Sequence, residues 1–265
     1  MDITRPLDEL FEDMRVDTVV HLAFRMRPAR SPKELRANVA VNVGGTENIL
    51  KAAAATGVKN IIYLSSHTVY GAHPDNPIPI TEEAPIRPNR GFQYAEQKAA
   101  SEKLLLRFAE ENPDVRVTIL RCCVVMGPRA SNFVTQAFFK PLLIGVWRYD
   151  PPMQFVHEDD LARLMGVLVK DPKPGIFNVA GPRVVRYSRL AKLAGKPLIF
   201  LPATIAYPMT QLAWALGLQK DSPAVGLDLI RYPIVLSTGK IWSETDYRFQ
   251  FTSEDALMSF VSASM

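Results

Sequence analysis

Tyr94 and Lys98 stand four apart in the run Phe92-Gln93-Tyr94-Ala95-Glu96-Gln97-Lys98. On a helix that spacing puts both side chains on one face, one turn above each other. A phenol with an ordinary pKa of about 10 is a poor base at neutral pH. An ammonium ~4 Å away would favour the phenolate by roughly 4 kcal/mol at an effective dielectric near 20, before desolvation offsets part of it. The spacing therefore suits a phenolic acid/base. Taken alone it is a weak signal, because a half-buried tyrosine beside a solvated lysine produces the same pattern.

A second group stands upstream. Asn60-Ile61-Ile62-Tyr63-Leu64-Ser65-Ser66 reads as an apolar strand ending in two hydroxyls, followed by the loop His67-Thr68-Val69-Tyr70-Gly71. In open α/β sheets, ligands bind at the carboxyl ends of the strands. A serine there can hold a substrate oxygen while a tyrosine exchanges its proton. The plainer alternative is that Ser65 and Ser66 only cap the strand end.

The elements that would position these groups alternate along the chain. Thr4 caps a helix over about Leu7 to Met14, and Asp17 to Ala23 is a strand rich in β-branched residues. Ser31-Pro32-Lys33-Glu34 is a capping box with proline at the first helical position, opening a long helix that Gly57 ends. A proline-rich loop, Pro74 to Pro88, leads into the helix bearing Tyr94 and Lys98, which runs to about Glu111, and Val115 to Cys122 is the next strand. Later elements are a helix near 133–142, a strand at 153–157, a helix over 158–169 and a strand at 176–180. The expected fold is α/β, a Rossmann-like doubly wound parallel sheet with a small C-terminal substrate lobe. Residues 1–128 would form the partial dinucleotide-binding core. Residues 129–265 would form mainly the lobe, with the strands near 153–157 and 176–180 returning to the core. Ala203 to Leu218 is apolar almost all round, which predicts a core or lobe-covering helix, with a lid or partner surface as the alternative.

The chain's 265 residues fit one domain with at most a small appendage. A composition of 48% hydrophobic and 22% charged residues is that of a soluble globular protein. The net charge of +4 is modest, and no basic run marks a nucleic-acid footprint. The two cysteines, Cys122 and Cys123, are adjacent, which excludes C-x-x-C metal spacing and suits buried thiols in a reducing cytoplasm. No signal peptide opens the chain, and no apolar run reaches transmembrane length.

The order of motifs resembles the extended short-chain dehydrogenase/reductases of the NAD-dependent epimerase/dehydratase group. Its marks are Asp2-Ile3, Val19 to Ala23, Asn42-Val43-Gly44-Gly45-Thr46, Ser65 to Gly71, Tyr94 with Lys98, Leu120-Arg121 through Gly127-Pro128, and Phe155 to Ala162. The resemblance implies that Ser66, Tyr94 and Lys98 are catalytic, Lys98 also holding the nicotinamide ribose. It implies that Asp2 and Ile3 contact adenine, and that Leu22 and Ala23 lie beside the adenosine ribose and pyrophosphate. Asn42 would be a buried polar residue near the cofactor, Ser65 and Cys122 would line the nicotinamide, and His157 and Asp160 would orient the lobe junction. The implied chemistry is hydride exchange between a secondary alcohol and NAD, with NADP also open. The implied substrate is a nucleotide sugar or related alcohol, and the implied assembly a homodimer through the helices at about 34–56 and 92–111.

Three departures qualify the resemblance. No G-x-G-x-x-G-like turn is present, since Gly44-Gly45 falls mid-helix. The βαβ unit that would carry the turn, about 50 residues, is expected before Asp2. A sheet without its central first strand would expose two inner edges, so a shortened chain that binds NAD poorly is expected. The alternatives are a partner chain that supplies the unit and a cofactor-free scaffold. Val124 stands where sugar-nucleotide members carry an asparagine for the diphosphate, and His67-Thr68 stands where 4,6-dehydratases carry Asp-Glu. Dehydration is therefore disfavoured, and a hydroxysteroid- or flavonoid-type ketone is the alternative substrate.

Overall fold

The computed structural model describes residues 2–264. Helix α1 (Asp8–Asp13) leads to strand β1 (Thr18–His21). Helix α2 (Pro32–Val39) starts where the Ser31 hydroxyl accepts the Glu34 amide at 3.2 Å. A π-helical turn, Ala40–Gly44, joins it to α3 (Gly45–Thr56), which Gly57 ends in the left-handed conformation at φ 74°. Strand β2 (Asn60–Ser66), α4 (Gln93–Glu111) and β3 (Arg116–Cys122) follow at nearly the expected bounds.

Four parallel strands form the central sheet in the order β1-β2-β3-β8, with β8 at Gly175–Val179. The period of two sorts each strand to two faces. Ile61, Tyr63, Val117 and Ile119 pack with Leu50, Leu105 and Phe108 of α3 and α4. Ile62, Leu120 and Phe177 pack with Leu164 and Leu168 of α6 (Glu158–Lys170) on the opposite face. The same parity sends Ser65 and Arg121 toward α4 and Ser66 to the opposite face.

The expectation of two inner edges fails. Among the described residues the strands are contiguous and β1 ends their order on this side, where Val20 remains 38% exposed. A further strand would extend the sheet from β1 and would not divide it.

The rest of the chain frames a second layer. Strand β4 (Val124–Met126) pairs in parallel with β7 (Phe155–His157) in a two-stranded sheet of its own, so the strand expected at 153–157 does not pair with the central sheet. The helix expected near 133–142 is short, α5 at Phe133–Ala137, because the chain turns into β5 (Leu143–Val146). Strand β6 (Pro152–Met153) pairs with β9 (Val185–Arg186), α7 is Tyr187–Leu193, and β10 (Leu198–Leu201) pairs with β5. Helix α8 (Ala203–Ala215) buries only Ala206 and Thr210. Its Ile205, Leu212 and the following Leu216 are 53%, 60% and 65% exposed, so of the two places expected for it, core or lobe-covering, the core one is excluded. Helices α9 (Gly239–Glu244) and α10 (Ser253–Ser264) close the fold. His157 stacks on Phe251 at 3.9 Å and pairs with Ser259 at 3.0 Å. Asp160 accepts the Tyr247 hydroxyl at 2.6 Å and the Gln250 and Phe251 amides, which ties α6 to the C-terminal segment.

Candidate active site

The end of β2 and the first turns of α4 meet at a cleft lined by Leu22, Phe24, Ser66, Tyr94, Lys98 and Cys122 among others. Ser66 accepts hydrogen bonds from its own loop, from the Thr68 hydroxyl at 3.0 Å and the Thr68 amide at 3.3 Å. A hydrogen bond from Ser66 draws the Tyr94 phenol downward, but burial outweighs it and pushes the pKa up to about 12. The Phe24 ring stands edge-on to Tyr94 at 5.3 Å.

Lys98 is 4% exposed. Its Nζ donates to the Leu64 carbonyl at 2.6 Å and lies over the Phe24 and Tyr63 rings at 4.0 and 4.8 Å. Burial lowers its pKa to about 7, against a smaller upward pull from Glu102. The tuning expected from spacing alone is therefore not found. Tyr94 and Lys98 do share a helix face, but desolvation governs both groups, favouring neutral phenol and neutral amine.

A stability prediction follows from Lys98. Its folded pKa lies below the unfolded value near 10.4, so between pH 7 and about 10.4 the unfolded chain binds more protons. Stability contributed by this site must rise with pH across that window. The folding free energy of wild type relative to Lys98→Met should increase by ~3–4 kcal/mol between pH 7 and 10, read by urea denaturation. A flat difference would contradict the buried amine.

Beneath the cleft lies a charge pair that motif reading passed over. Glu102 is one turn beyond Lys98 on α4 and fully buried. It accepts from the Ser65 hydroxyl and from Arg121 Nη2 at 2.8 Å and Nε at 3.0 Å. Arg121 also donates to the Tyr70 hydroxyl at 2.9 Å and the Glu82 carbonyl at 3.1 Å. Ser65 borders the cleft, yet its hydroxyl is turned down to Glu102. The signal was present in the sequence: a glutamate on the Tyr94/Lys98 face, and an arginine at an inward position of an apolar strand.

Asn42 is buried in the π-helical turn. Its Oδ1 accepts the Arg25 amide at 2.7 Å, and its Nδ2 donates to the Arg25 carbonyl at 3.0 Å and to Gln97 at 2.6 Å. It thereby clamps the loop after β1, which carries Leu22 and Phe24, to the head of α4. Ala23 is exposed on that loop. Asp2 and Ile3 do not line the cleft. Asp2 accepts from the Thr4 amide and hydroxyl, and Ile3 packs under α3, where a β-carbon at Gly45 would come within 2.5 Å of it.

The description "NAD dependent epimerase/dehydratase family" belongs to the family model that matches residues 1–180. The chain belongs to that family. An uncharacterised protein of Mycobacterium tuberculosis is 25% identical over 260 residues, covering 96% of this chain and 68% of that protein. A dTDP-glucose 4,6-dehydratase of Streptomyces griseus is 38% identical over 185 residues, 67% of this chain and 55% of that one. Among solved structures, the UDP-glucose 4-epimerase of Thermus thermophilus in complex with NAD superposes with a TM-score of 0.74 at 20% identity, over 99% of this chain and 83% of that one. This likeness establishes the Rossmann-like fold.

The cleft fits one end of such a cofactor. Lys98 offers a buried amino group, one of whose N–H donors goes to Leu64. Leu22, Phe24 and Cys122 supply flat or apolar walls beside it. This suits a ribose and a nicotinamide ring. Among the described residues no G-x-G-x-x-G turn cradles a pyrophosphate. No helix of the described residues is long and apolar enough to cross a membrane, and they hold no cluster of three or more His, Cys, Asp or Glu side chains placed for a metal.

Proposed function

We propose that this protein interconverts a secondary alcohol and its ketone by hydride exchange with NAD, with Tyr94 as the acid/base. The observation that carries the reading is the meeting of Tyr94, Ser66 and Lys98 at one cleft, at the carboxyl end of a parallel strand. Bound NAD supplies the hydride acceptor or donor. Ser66 holds the substrate oxygen and stabilises its developing charge. Tyr94 exchanges the hydroxyl proton, and Lys98 orients the cofactor ribose.

Dehydration is not part of this reading. His67 is held neutral, its pKa lowered to about 4 by burial, and its Nδ1 donates to the Cys122 carbonyl at 3.1 Å. Among the described residues no carboxylate lines the cleft. The relatives' names favour a nucleotide sugar as substrate, whereas the cavity adjoining the cleft favours a less polar alcohol. A homodimer through α2, α3 and α4 is also proposed, supported by Leu35 and Val39 at 37% and 40% exposure, and a reducing cytoplasm suits the two buried thiols.

The test is Ser66→Ala. With NAD(H) and a secondary alcohol or ketone, kcat should fall by roughly 10²–10³-fold, as for loss of one oxyanion donor. An unchanged kcat would remove Ser66 from the mechanism.

A further inference from the structure

A cavity of about 220 Å³ opens from the cleft, sharing His67, Thr68, Val124 and Val134 with it. Segments far apart in the chain build its walls, among them Phe138, Leu143, Met153, Leu190, Leu227 and Ile234. From this wall we infer that the substrate's body is a neutral, largely apolar ring system, carried on the secondary alcohol or ketone carbon, and that it is not a nucleoside diphosphate. The inference rests on the proposed reading that Ser66 and Tyr94 meet the substrate oxygen.

The charge inventory decides it. A diphosphate brings about two negative charges, and burying them without counter-charge costs far more than binding can return. Among the described residues Lys140 is the one lysine or arginine in the wall, and it is already paired with Asp221. His67 is neutral. The other polar groups are mostly engaged. Gln154 exchanges two hydrogen bonds with the Leu236 backbone, at 2.7 and 3.3 Å. Tyr187 donates to the Ile144 carbonyl at 3.0 Å, Ser222 to the Pro223 carbonyl at 2.9 Å, and Gln219 to the Ser222 carbonyl at 2.6 Å. The short helix α5 is capped by its own Asn132, which accepts the Val134 and Thr135 amides at 3.0 Å. Within this wall no further lysine or arginine is left to clamp two phosphates.

The size agrees. An apolar cavity of roughly 150 Å³ accepts benzene, so about 220 Å³ accommodates one to two fused rings. Apolar burial supplies the affinity, and the hydroxyls at the cleft supply orientation.

The deciding measurement is a thermal-shift and equilibrium-binding comparison of 1-tetralone, a neutral bicyclic ketone, with UDP and UDP-glucose. Only a ligand of the folded state raises Tm. The expected result is a saturable shift with 1-tetralone and none with either nucleotide at the same concentration. Ala137→Phe, which fills the cavity, should weaken 1-tetralone at least tenfold. No shift with 1-tetralone, or tighter binding of UDP-glucose, overturns the inference, and this wild-type comparison stands even if the variant does not fold. Tyr94→Phe separates the two claims. It should bind 1-tetralone as wild type does while failing to reduce it when NADH is supplied as the hydride donor. Equal turnover by both would remove Tyr94 from the chemistry and leave the cavity's preference standing.

Discussion

Tyr94→Phe should lower kcat by roughly 10²–10⁴-fold, the usual contribution of a positioned acid or base, while NAD affinity measured by fluorescence titration stays within about twofold. The substitution removes one oxygen and keeps the ring that packs against Phe24 at 5.3 Å. The loss should therefore fall on the proton-transfer step and not on folding. Direction matters as well. Burial holds the phenol protonated at neutral pH, with its pKa pushed up to about 12. A resting phenol can donate a proton, so ketone reduction should run at neutral pH. Alcohol oxidation needs the phenolate and should accelerate as pH rises toward alkaline values, a rise that Tyr94→Phe abolishes. Wild-type rates in the variant would end the proposed mechanism.

Breaking the buried pair beneath the cleft should have the largest effect on stability. Glu102→Ala leaves the Arg121 guanidinium, itself 2% exposed, without its carboxylate, and Ser65 without its acceptor. Removing one partner of a buried pair costs ~3–5 kcal/mol. For a chain of this size that lowers Tm by roughly 6–15 °C. Replacing both partners, Glu102→Leu with Arg121→Met, should recover most of the loss, because apolar pairs of similar volume are often neutral in such positions. A single substitution within about 1 kcal/mol of wild type would show that water or a neighbour satisfies Arg121. Glu102 also raises the Lys98 pKa. Glu102→Gln should therefore shift the pH window in which Lys98 titrates downward.

Much of the site was legible because it is local. The Tyr94/Lys98 spacing is fixed by helical geometry, Ser31 and Gly57 mark their helix ends by their own hydrogen bond and φ, and a β-branched, apolar run ending in Ser65-Ser66 reads directly as a buried strand. Alternation along the strand also implies that the two serines part company. Ser65 turns under α4 to Glu102 while Ser66 stays at the cleft beside Tyr94, and strand periodicity alone does not carry which serine takes which place.

Other properties arise only on folding. The pKa values of Tyr94 and Lys98 follow from how completely their surroundings exclude water, and the ammonium–phenol attraction expected from spacing contributes to neither. The pairing of Glu102 with Arg121 joins a helix to a strand across the sheet face. The apolar cavity draws its walls from residues between 67 and 234. Helix α8 is apolar enough to read as core, yet little packs over its outer face, so its leucines stay exposed. The sequence by itself determined the placing of Tyr94 and Lys98 on one helix face, the strand end that carries Ser65 and Ser66 and the parallel α/β class, because each rests on periodicity within one element. Only the tertiary structure decided which charges are buried and how apolar the adjoining cavity is, because desolvation and cavity shape belong to contacts between elements.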